Sequence, residues 1–175
     1  FTMLRRLFAE LGINARMVDV TDLKAVEKAL DETRPVILVA ETISNPLLKV
    51  ADQPELIELA HRYGAQVLID NTFASPYLFN PCCCGADYVM HSVTKFIAGH
   101  SDVLAGVVVT SSQNRGRMYE LNKMIGSNLG PFEAWLAMRG LKTLPLRMRQ
   151  QCDNALRIAE WLAMHPRVAR IYYPG

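Results

Sequence analysis

The fold is decided by residues 66–95, which read QVLIDNTFASPYLFNPCCCGADYVMHSVTK. This segment contains two predicted strands, at 66–69 and 87–90, and each is followed by polar residues that include Asp70 and Lys95. Strands that are apolar on both faces are typical of the buried part of a parallel sheet. In open α/β sheets, ligands collect at the carboxyl ends of the strands. The segment therefore predicts a parallel sheet with a binding site at one edge.

Helices and strands alternate on both sides of this segment. We predict helices that begin at the caps Asp22 and Asp52, and the second ends at Gly64, a residue suited to a left-handed stop. A continuous apolar run at 36–40 predicts a central strand that is buried on both faces. The other predicted strands are 14–19, 105–110 and 169–172, and the other predicted helices are 1–12, 116–124, 131–139 and 146–163. This alternation indicates an α/β fold with a mostly parallel sheet and flanking helices.

The composition argues against several classes of protein. Apolar residues make up 50% of the chain and charged residues 21%, with 19 basic and 17 acidic side chains, as is ordinary for a globular protein. A net charge of +2 gives no reason to expect nucleic acid as a partner. The longest apolar stretches, such as 103–109, are too short to cross a bilayer, so we expect no membrane segment.

The cysteines and histidines give no metal-binding pattern. Cys82, Cys83 and Cys84 are consecutive, and with Cys152 they do not match the spacing of zinc ligands. We therefore expect that the protein is cytoplasmic, that its thiols are free and that it binds no metal. Because the chain begins with Phe1, in the middle of a predicted helix, we also expect it to be a fragment of a longer protein.

Three polar clusters follow predicted strands and are expected to face one crevice. Lys95 is the most informative residue, since a lysine at the mouth of a buried strand is partly desolvated and more readily neutral, as Schiff-base chemistry requires. Ser92 and Thr94 place hydroxyl groups on either side of it that can donate to a phosphate. The alternative is an ordinary solvated lysine. The clusters are 41–46 (ETISNP), 70–72 (DNT) and 91–95 (HSVTK).

Asp70 also has two interpretations. An aspartate after a strand is commonly a turn former or a helix cap. The functional interpretation is an ion pair with the protonated pyridine nitrogen of pyridoxal 5′-phosphate (PLP), which keeps the ring cationic so that it can withdraw electrons from the substrate's α-carbon. A carboxylate is required there, because a neutral partner would let the ring nitrogen lose its proton.

Four runs of sequence carry a family resemblance. They resemble the Cys/Met-metabolism PLP enzymes, a family that includes cystathionine γ-synthase, cystathionine β- and γ-lyases, methionine γ-lyase and O-acylhomoserine sulfhydrylases. The similarity extends over essentially the whole chain, and 41–46 and 171–175 also fit it. The four runs are 67–77 (VLIDNTFASPY), 85–87 (GAD), 91–103 (HSVTKFIAGHSDV) and 138–144 (MRGLKTL).

The resemblance implies a role for each candidate residue. Lys95 would carry the PLP cofactor as a Schiff base and, once released by substrate, move protons between the substrate carbons and the cofactor. Asp70 would pair with the pyridine nitrogen, and Ser92 and Thr94 would bind the phosphate. Asn45 would lie near the phenolic oxygen of the cofactor. No metal is implied.

The resemblance also implies an architecture. Residues 1–140 would be part of the PLP-binding large domain of a fold type I PLP-dependent transferase, and 141–175 would be a long linking helix and the start of a C-terminal small domain. The tyrosine that stacks on the cofactor ring and the arginine that binds the substrate carboxylate would lie outside this chain. Family members assemble as dimers of dimers, so a homotetramer is expected.

The implied reaction is trans-sulfuration, in which a lyase or a sulfur-transferring synthase acts on a sulfur-containing or O-acylated amino acid. Residues 126–135 (GSNLGPFEAW) and 172–175 (YYPG) resemble γ-acting members more than β-lyases, so γ-elimination or γ-replacement is expected. β-Elimination remains an alternative. A second alternative is that the chain is a folded PLP-domain fragment without activity of its own.

Overall fold

The computed structural model describes residues 6–174. Its centre is a four-stranded sheet in the order β1, β2, β3 and β4, formed by Ile37–Glu41, Gln66–Asp70, Tyr88–Ser92 and Gly106–Thr110. The first three strands run parallel, whereas β4 runs antiparallel to β3. The predicted α/β fold with a mostly parallel sheet is therefore confirmed, and its one antiparallel pair lies at an edge.

Helices flank the sheet and connect its strands. A 3₁₀-helix spans Pro81–Cys84, and a π-helical turn spans Val93–Ile97. The helix predicted over 1–12 is helical at its centre, and residues 1–5 of that prediction lie outside the described residues. The α-helices are α1 (Leu7–Glu10), α2 (Leu23–Thr33), α3 (Gln53–Arg62), α4 (Ser75–Leu78), α5 (Ser112–Ile125), α6 (Pro131–Leu141) and α7 (Leu144–Ala163).

Local sequence signals set the bounds of α2 and α3 as predicted. The Asp22 carboxylate accepts a hydrogen bond from the Ala25 amide at 3.0 Å, and the Asp52 carboxylate accepts one from the Glu55 amide at 3.2 Å. Each aspartate satisfies an amide that the first helical turn leaves unpaired. Gly64, with φ +76°, follows α3 in the left-handed conformation that glycine adopts without a steric penalty.

One face of the sheet packs against α2 and α3. Val67 and Ile69 of β2 are fully buried on this face, whereas Leu68 and Asp70 lie on the opposite face and are only partly buried. Because strand side chains alternate between faces, the burial of the first pair fixes the direction of Asp70. Each buried aliphatic side chain contributes about 1.5–3 kcal/mol, so this register is strongly favoured.

A second apolar cluster lies beneath the turn that follows β3. It joins that turn to the first turns of α7, which come much later in the chain. The residues after β3 are therefore held by a helix as well as by the sheet. The cluster consists of Val93, Ile97, Ala98, Val103, Leu144 and Met148.

The prediction that β1 is a central strand buried on both faces is wrong for the described residues. β1 is the edge strand of the sheet that they form, and Ile37 and Val39 are 39% and 47% exposed. The reason is that residues 6–174 place no helix or strand over that face. Leu38 and Ala40, on the other face, are buried as expected.

Two further strand predictions, at 14–19 and 169–172, are also wrong, because no described strand lies alongside either segment. Asp19 forms an ion pair with Lys49. This contact, with hydrogen bonds from Thr21, lowers the pKa of Asp19 to about 2. The predicted division of the chain between residues 140 and 141 stays a prediction.

Candidate active site

The three polar clusters meet in one crevice at the carboxyl edge of the parallel strands. The crevice has a volume of about 1030 Å³ and opens on the face of the sheet opposite α2 and α3. Glu41 and Thr72, which belong to two of the predicted clusters, line it too, as does Gln151, for which the sequence suggested no role. All five residues predicted to bind the cofactor line this crevice, namely Asn45, Asp70, Ser92, Thr94 and Lys95.

Asp70 occupies the last position of β2, where it is in register with Glu41 of β1 and Met90 of β3. Its Oδ1 accepts a hydrogen bond from the Thr72 amide at 3.0 Å. Within residues 6–174 its Oδ2 has no hydrogen-bond partner. Asp70 therefore stabilises a turn, as expected of an aspartate after a strand. Its second carboxylate oxygen is available to pair with a cation that enters the crevice.

Asn71 fixes the end of β2 from the buried side. It is fully buried, and its Oδ1 accepts a hydrogen bond from the Thr42 hydroxyl at 2.6 Å. Its Nδ2 donates to the carbonyl oxygens of Ser75 at 3.1 Å and Phe79 at 2.8 Å. Because every polar atom of this amide side chain is bonded, the ends of β1 and β2 and the start of α4 are held as one unit. The sequence shows Asn71 beside Asp70 but gives no signal of its partners.

Ser92 and Thr94 are not equivalent. The Ser92 amide donates to the Thr72 hydroxyl oxygen at 2.8 Å, and the Ser92 hydroxyl has no hydrogen bond to any described residue. The Thr94 hydroxyl donates to the Ala105 carbonyl at 3.2 Å and accepts from the Ala105 amide at 2.9 Å. Ser92 is therefore free to donate to a bound anion, whereas the proton of Thr94 already has an acceptor.

Lys95 belongs to the π-helical turn but departs from helical geometry, with φ −87° and ψ −119°. Lys95 is exposed and lines the crevice, which opens to solvent, and its expected partial desolvation stays a prediction. Its Nζ makes no ion pair or hydrogen bond with residues 6–174. An amine with a fixed backbone and no competing partner can attack a carbonyl carbon brought into the crevice.

Asn45 lies at the rim of the crevice and is exposed. Its backbone amide donates to the Glu41 carboxylate at 3.1 Å, and the peptide bond between Asn45 and Pro46 is cis. The loop after β1 is thus tied to the last residue of that strand. This contact places the side-chain amide of Asn45 within the same crevice as Asp70.

The two histidines that flank Lys95 do not face it. His91 is buried, and its Nδ1 has no hydrogen-bond partner in the described part of the chain. Burial lowers the pKa of His91, and it outweighs the opposing effects of Asn71 and Asp70. Nδ1 of His100 lies 2.7 Å from the Ala98 carbonyl oxygen, in a turn. His91 is thus part of the core, and His100 is part of a turn.

The side chains of this crevice have the chemistry that PLP requires. Lys95 supplies a free amine for the aldehyde, Asp70 a carboxylate for a protonated ring nitrogen, and Ser92 an unpaired hydroxyl for the phosphate. Among residues 6–174 there is no cluster of three or more histidine, cysteine or acidic side chains that could bind a metal. No helix in the same range has the length and apolar character needed to span a bilayer.

Cys82 and Cys83 lie apart from the crevice. All four cysteines are free, and Cys82 and Cys83 are exposed on the 3₁₀-helix. That helix precedes β3, so it lies at the amino edge of the sheet, whereas the crevice lies at the carboxyl edge. Burial is the main reason that the pKa of Cys82 is raised, and the neighbouring Cys83 adds to the effect.

Comparison with known proteins identifies the family of this chain. The family model for Cys/Met metabolism PLP-dependent enzymes matches residues 1–175. Similar curated proteins include cystathionine gamma-lyase of Bacillus subtilis (strain 168), at 42% identity over 100% of this chain and 46% of the relative. L-Methionine gamma-lyase of Pseudomonas putida is 44% identical over 100% of this chain and 44% of the relative. Cystathionine beta-lyase of Lactococcus lactis subsp. cremoris (strain MG1363) is 44% identical over 100% and 46%.

Solved structures give the same result. The crystal structure of cystathionine gamma-lyase from Lactobacillus plantarum, complexed with L-serine, superposes with a TM-score of 0.95 at 41% identity and covers 99% of this chain. The match covers 46% of that structure's chain. The chain thus spans about half the length of the relatives that it matches.

Proposed function

Because this chain belongs to the Cys/Met metabolism family of PLP-dependent enzymes, we propose that the whole protein is a trans-sulfuration enzyme. It acts as a C–S lyase or a sulfur-transferring synthase on a sulfur-containing or O-acylated amino acid. The observation that supports this most directly is that an amine, a carboxylate and an unpaired hydroxyl, from Lys95, Asp70 and Ser92, line one crevice.

Five side chains of the crevice have a proposed role in binding the cofactor, PLP. Lys95 attaches it covalently through Nζ, and Asp70 holds a proton on its ring nitrogen. Ser92 binds the phosphate, Thr94 supports the same group, and Asn45 lies near the phenolic oxygen. When bound, PLP supplies an electron sink for the pair of electrons that is released at the substrate's α-carbon.

Lys95 also carries the proton transfers in this proposal. As a free amine, Nζ would accept the proton from the substrate's α-carbon and return it at a neighbouring carbon. The hydrogen bond from the Thr72 amide keeps the Asp70 carboxylate in place. Asn71 supports the same strand end from the buried side.

γ-Elimination or γ-replacement is the proposed reaction. This choice rests on residues 126–135 and 172–175. Overall identity does not decide it, because relatives named γ-lyase, γ-synthase and β-lyase have similar identities to this chain. The test is a product assay on the full-length protein with cystathionine and with methionine. Formation of 2-oxobutanoate is expected from γ-elimination. Pyruvate from cystathionine, without 2-oxobutanoate, would contradict the γ assignment and support the β-lyase alternative.

The assembly and location of the whole protein are further parts of the proposal. By family resemblance we propose a cytoplasmic homotetramer, in which residues 1–140 belong to the large domain and 141–175 lead into the small domain. Sedimentation of the full-length protein is expected to give the mass of four chains. A monomer that retains full turnover would contradict the proposed assembly.

A further inference from the structure

Arg147 of α7 makes an unusual set of contacts. Its Nη1 donates to the Phe96 carbonyl at 2.6 Å, and its Nη2 donates to the Ile97 carbonyl at 3.2 Å. Nη2 also donates to the Gly140 carbonyl at 2.8 Å, and Nε donates to the Thr143 hydroxyl at 3.0 Å. No carboxylate within residues 6–174 forms an ion pair with this guanidinium. Its charge is balanced by carbonyl dipoles, and two of these belong to the residues that directly follow Lys95.

The turn that carries Lys95 needs contacts from outside itself. The Ala98 amide donates to the Val93 carbonyl at 2.9 Å, and the Gly99 amide donates to the Lys95 carbonyl at 2.9 Å. The chain then leaves the turn at Gly99, with φ +75°, so the carbonyls of Phe96 and Ile97 receive no backbone amide from a following turn. Arg147 supplies the missing donors.

Two glycines allow this close approach. A Cβ at Gly140 would lie 2.2 Å from the Ala98 carbonyl oxygen, so the end of α6 packs backbone against backbone on the turn. A Cβ at Gly99 would lie 2.2 Å from Nη1 of Arg147. A larger residue at Gly140 would therefore force α6 and the turn apart, and at Gly99 it would displace the Arg147 guanidinium.

We propose that Arg147 is a positioning residue that holds the Lys95 turn against α6 and α7 and so sets where the Lys95 amine enters the crevice. This inference rests on the proposed attachment of the cofactor at Lys95. Charge alone does not suffice for the task, because an ammonium group cannot donate along the separate directions of these four acceptors, whereas a planar guanidinium can. Arg147 itself does not touch the reacting atoms.

The first test measures amide hydrogen exchange in the cofactor-free, full-length protein. Arg147→Gln and Arg147→Lys are compared with Arg149→Gln, which removes an exposed arginine two residues later on the same helix. We expect exchange across 93–99 to accelerate at least tenfold in both Arg147 variants and to stay unchanged in Arg149→Gln. Exchange across β2 serves as the internal reference. Equal acceleration in β2 and the turn, or no acceleration in the turn, would show a general structural role or none, and would overturn the proposal.

The second test follows the attachment of added PLP to Lys95 by its visible absorbance. The rate constant is expected to fall at least tenfold in Arg147→Lys as well as in Arg147→Gln. A wild-type rate in Arg147→Lys would overturn the proposal, and that variant decides the matter if Arg147→Gln does not fold. If wild-type protein attached no PLP at Lys95, the proposed function would fail, while the exchange experiment would still test the positioning.

Discussion

Lys95 and Asp70 approach the crevice from neighbouring strand ends, and each has a backbone that other residues hold. For Asp70 the support comes from Thr72 and from the buried amide of Asn71. For Lys95 it comes from a turn that is packed on α6 and α7. Because the backbone is held in this way, replacing the amine of Lys95 or the carboxylate of Asp70 should leave the surrounding chain in place. Substitutions at the tips should therefore report on chemistry and not on folding.

Lys95→Ala is expected to leave the fold intact and to lower kcat by about 10³-fold or more, because both the covalent anchor and the proton carrier are removed. Lys24→Ala, which removes an exposed lysine on α2, is the matched control. The measurement is steady-state turnover together with the circular dichroism of each variant. A Lys95→Ala enzyme with undiminished turnover would refute the proposed mechanism.

Ser92→Ala and Thr94→Val are expected to act differently. The Ser92 hydroxyl has no described protein partner, so its loss should weaken PLP binding by about tenfold without changing stability. The Thr94 hydroxyl is bonded twice to the backbone of Ala105, so its loss should lower the free energy of unfolding by about 1–2 kcal/mol. PLP titration and urea unfolding of both variants measure the two effects. The reverse pattern would mean that Thr94, and not Ser92, is the main phosphate ligand.

At the scale of single elements, the sequence correctly predicted the features that depend only on residues close together in the chain. The caps of α2 and α3 were predicted because each requires only an aspartate and an amide three residues later. The strand at 14–19 was wrong because a strand depends on a partner that its own residues do not specify. Arg147 could not be found at all, since three of its four acceptors are backbone carbonyls, which every residue possesses.

The buried face of β3 predicts a pH dependence of stability. Because burial lowers the pKa of His91, the unfolded chain takes up a proton near its ordinary value of 6.5 while the folded chain does not. The free energy of unfolding should therefore fall as the pH drops through about 6.5, and the loss should end once the folded His91 is itself protonated.

Urea unfolding of the full-length protein between pH 7.5 and 5 measures this effect. His91→Phe should remove part of the decline, because it deletes the titrating group but keeps an aromatic ring in the core. His100→Gln, which changes an exposed histidine, should keep the wild-type slope. An unchanged slope in His91→Phe would assign the decline to other groups.

At the scale of the whole molecule, the described residues bury one face of β1, β2 and β3 and leave the other face open, whereas β4 is exposed on both faces. The open face carries the crevice at its carboxyl edge and exposed apolar side chains, including Val39 and Val108, elsewhere. The fold class, and the convergence of the five candidate residues on one crevice, could be predicted because they depend on strand ends and on motif residues. The openness of this face could not, because the apolar pattern of β1 is the same whether or not another layer covers it.

In the 1–175 polypeptide, a charge introduced on one face of β1 should destabilise the fold, whereas the same charge on the other face should not. Leu38→Lys would bury an unpaired ammonium in the core, at a cost of several kcal/mol, and should abolish cooperative thermal unfolding. Val39→Lys, one residue later, adds the same charge to an exposed position and should leave the thermal midpoint nearly unchanged. Thermal melts followed by circular dichroism measure both. Loss of cooperative unfolding in Val39→Lys would show that this face is covered.

The 3₁₀-helix offers a practical consequence. Its two exposed thiols, Cys82 and Cys83, lie at the amino edge of the sheet, on the side away from the crevice. A maleimide dye attached there would leave the entrance of the crevice open. Because the raised pKa of Cys82 leaves less of it as thiolate, maleimide should react slowly with this residue at neutral pH.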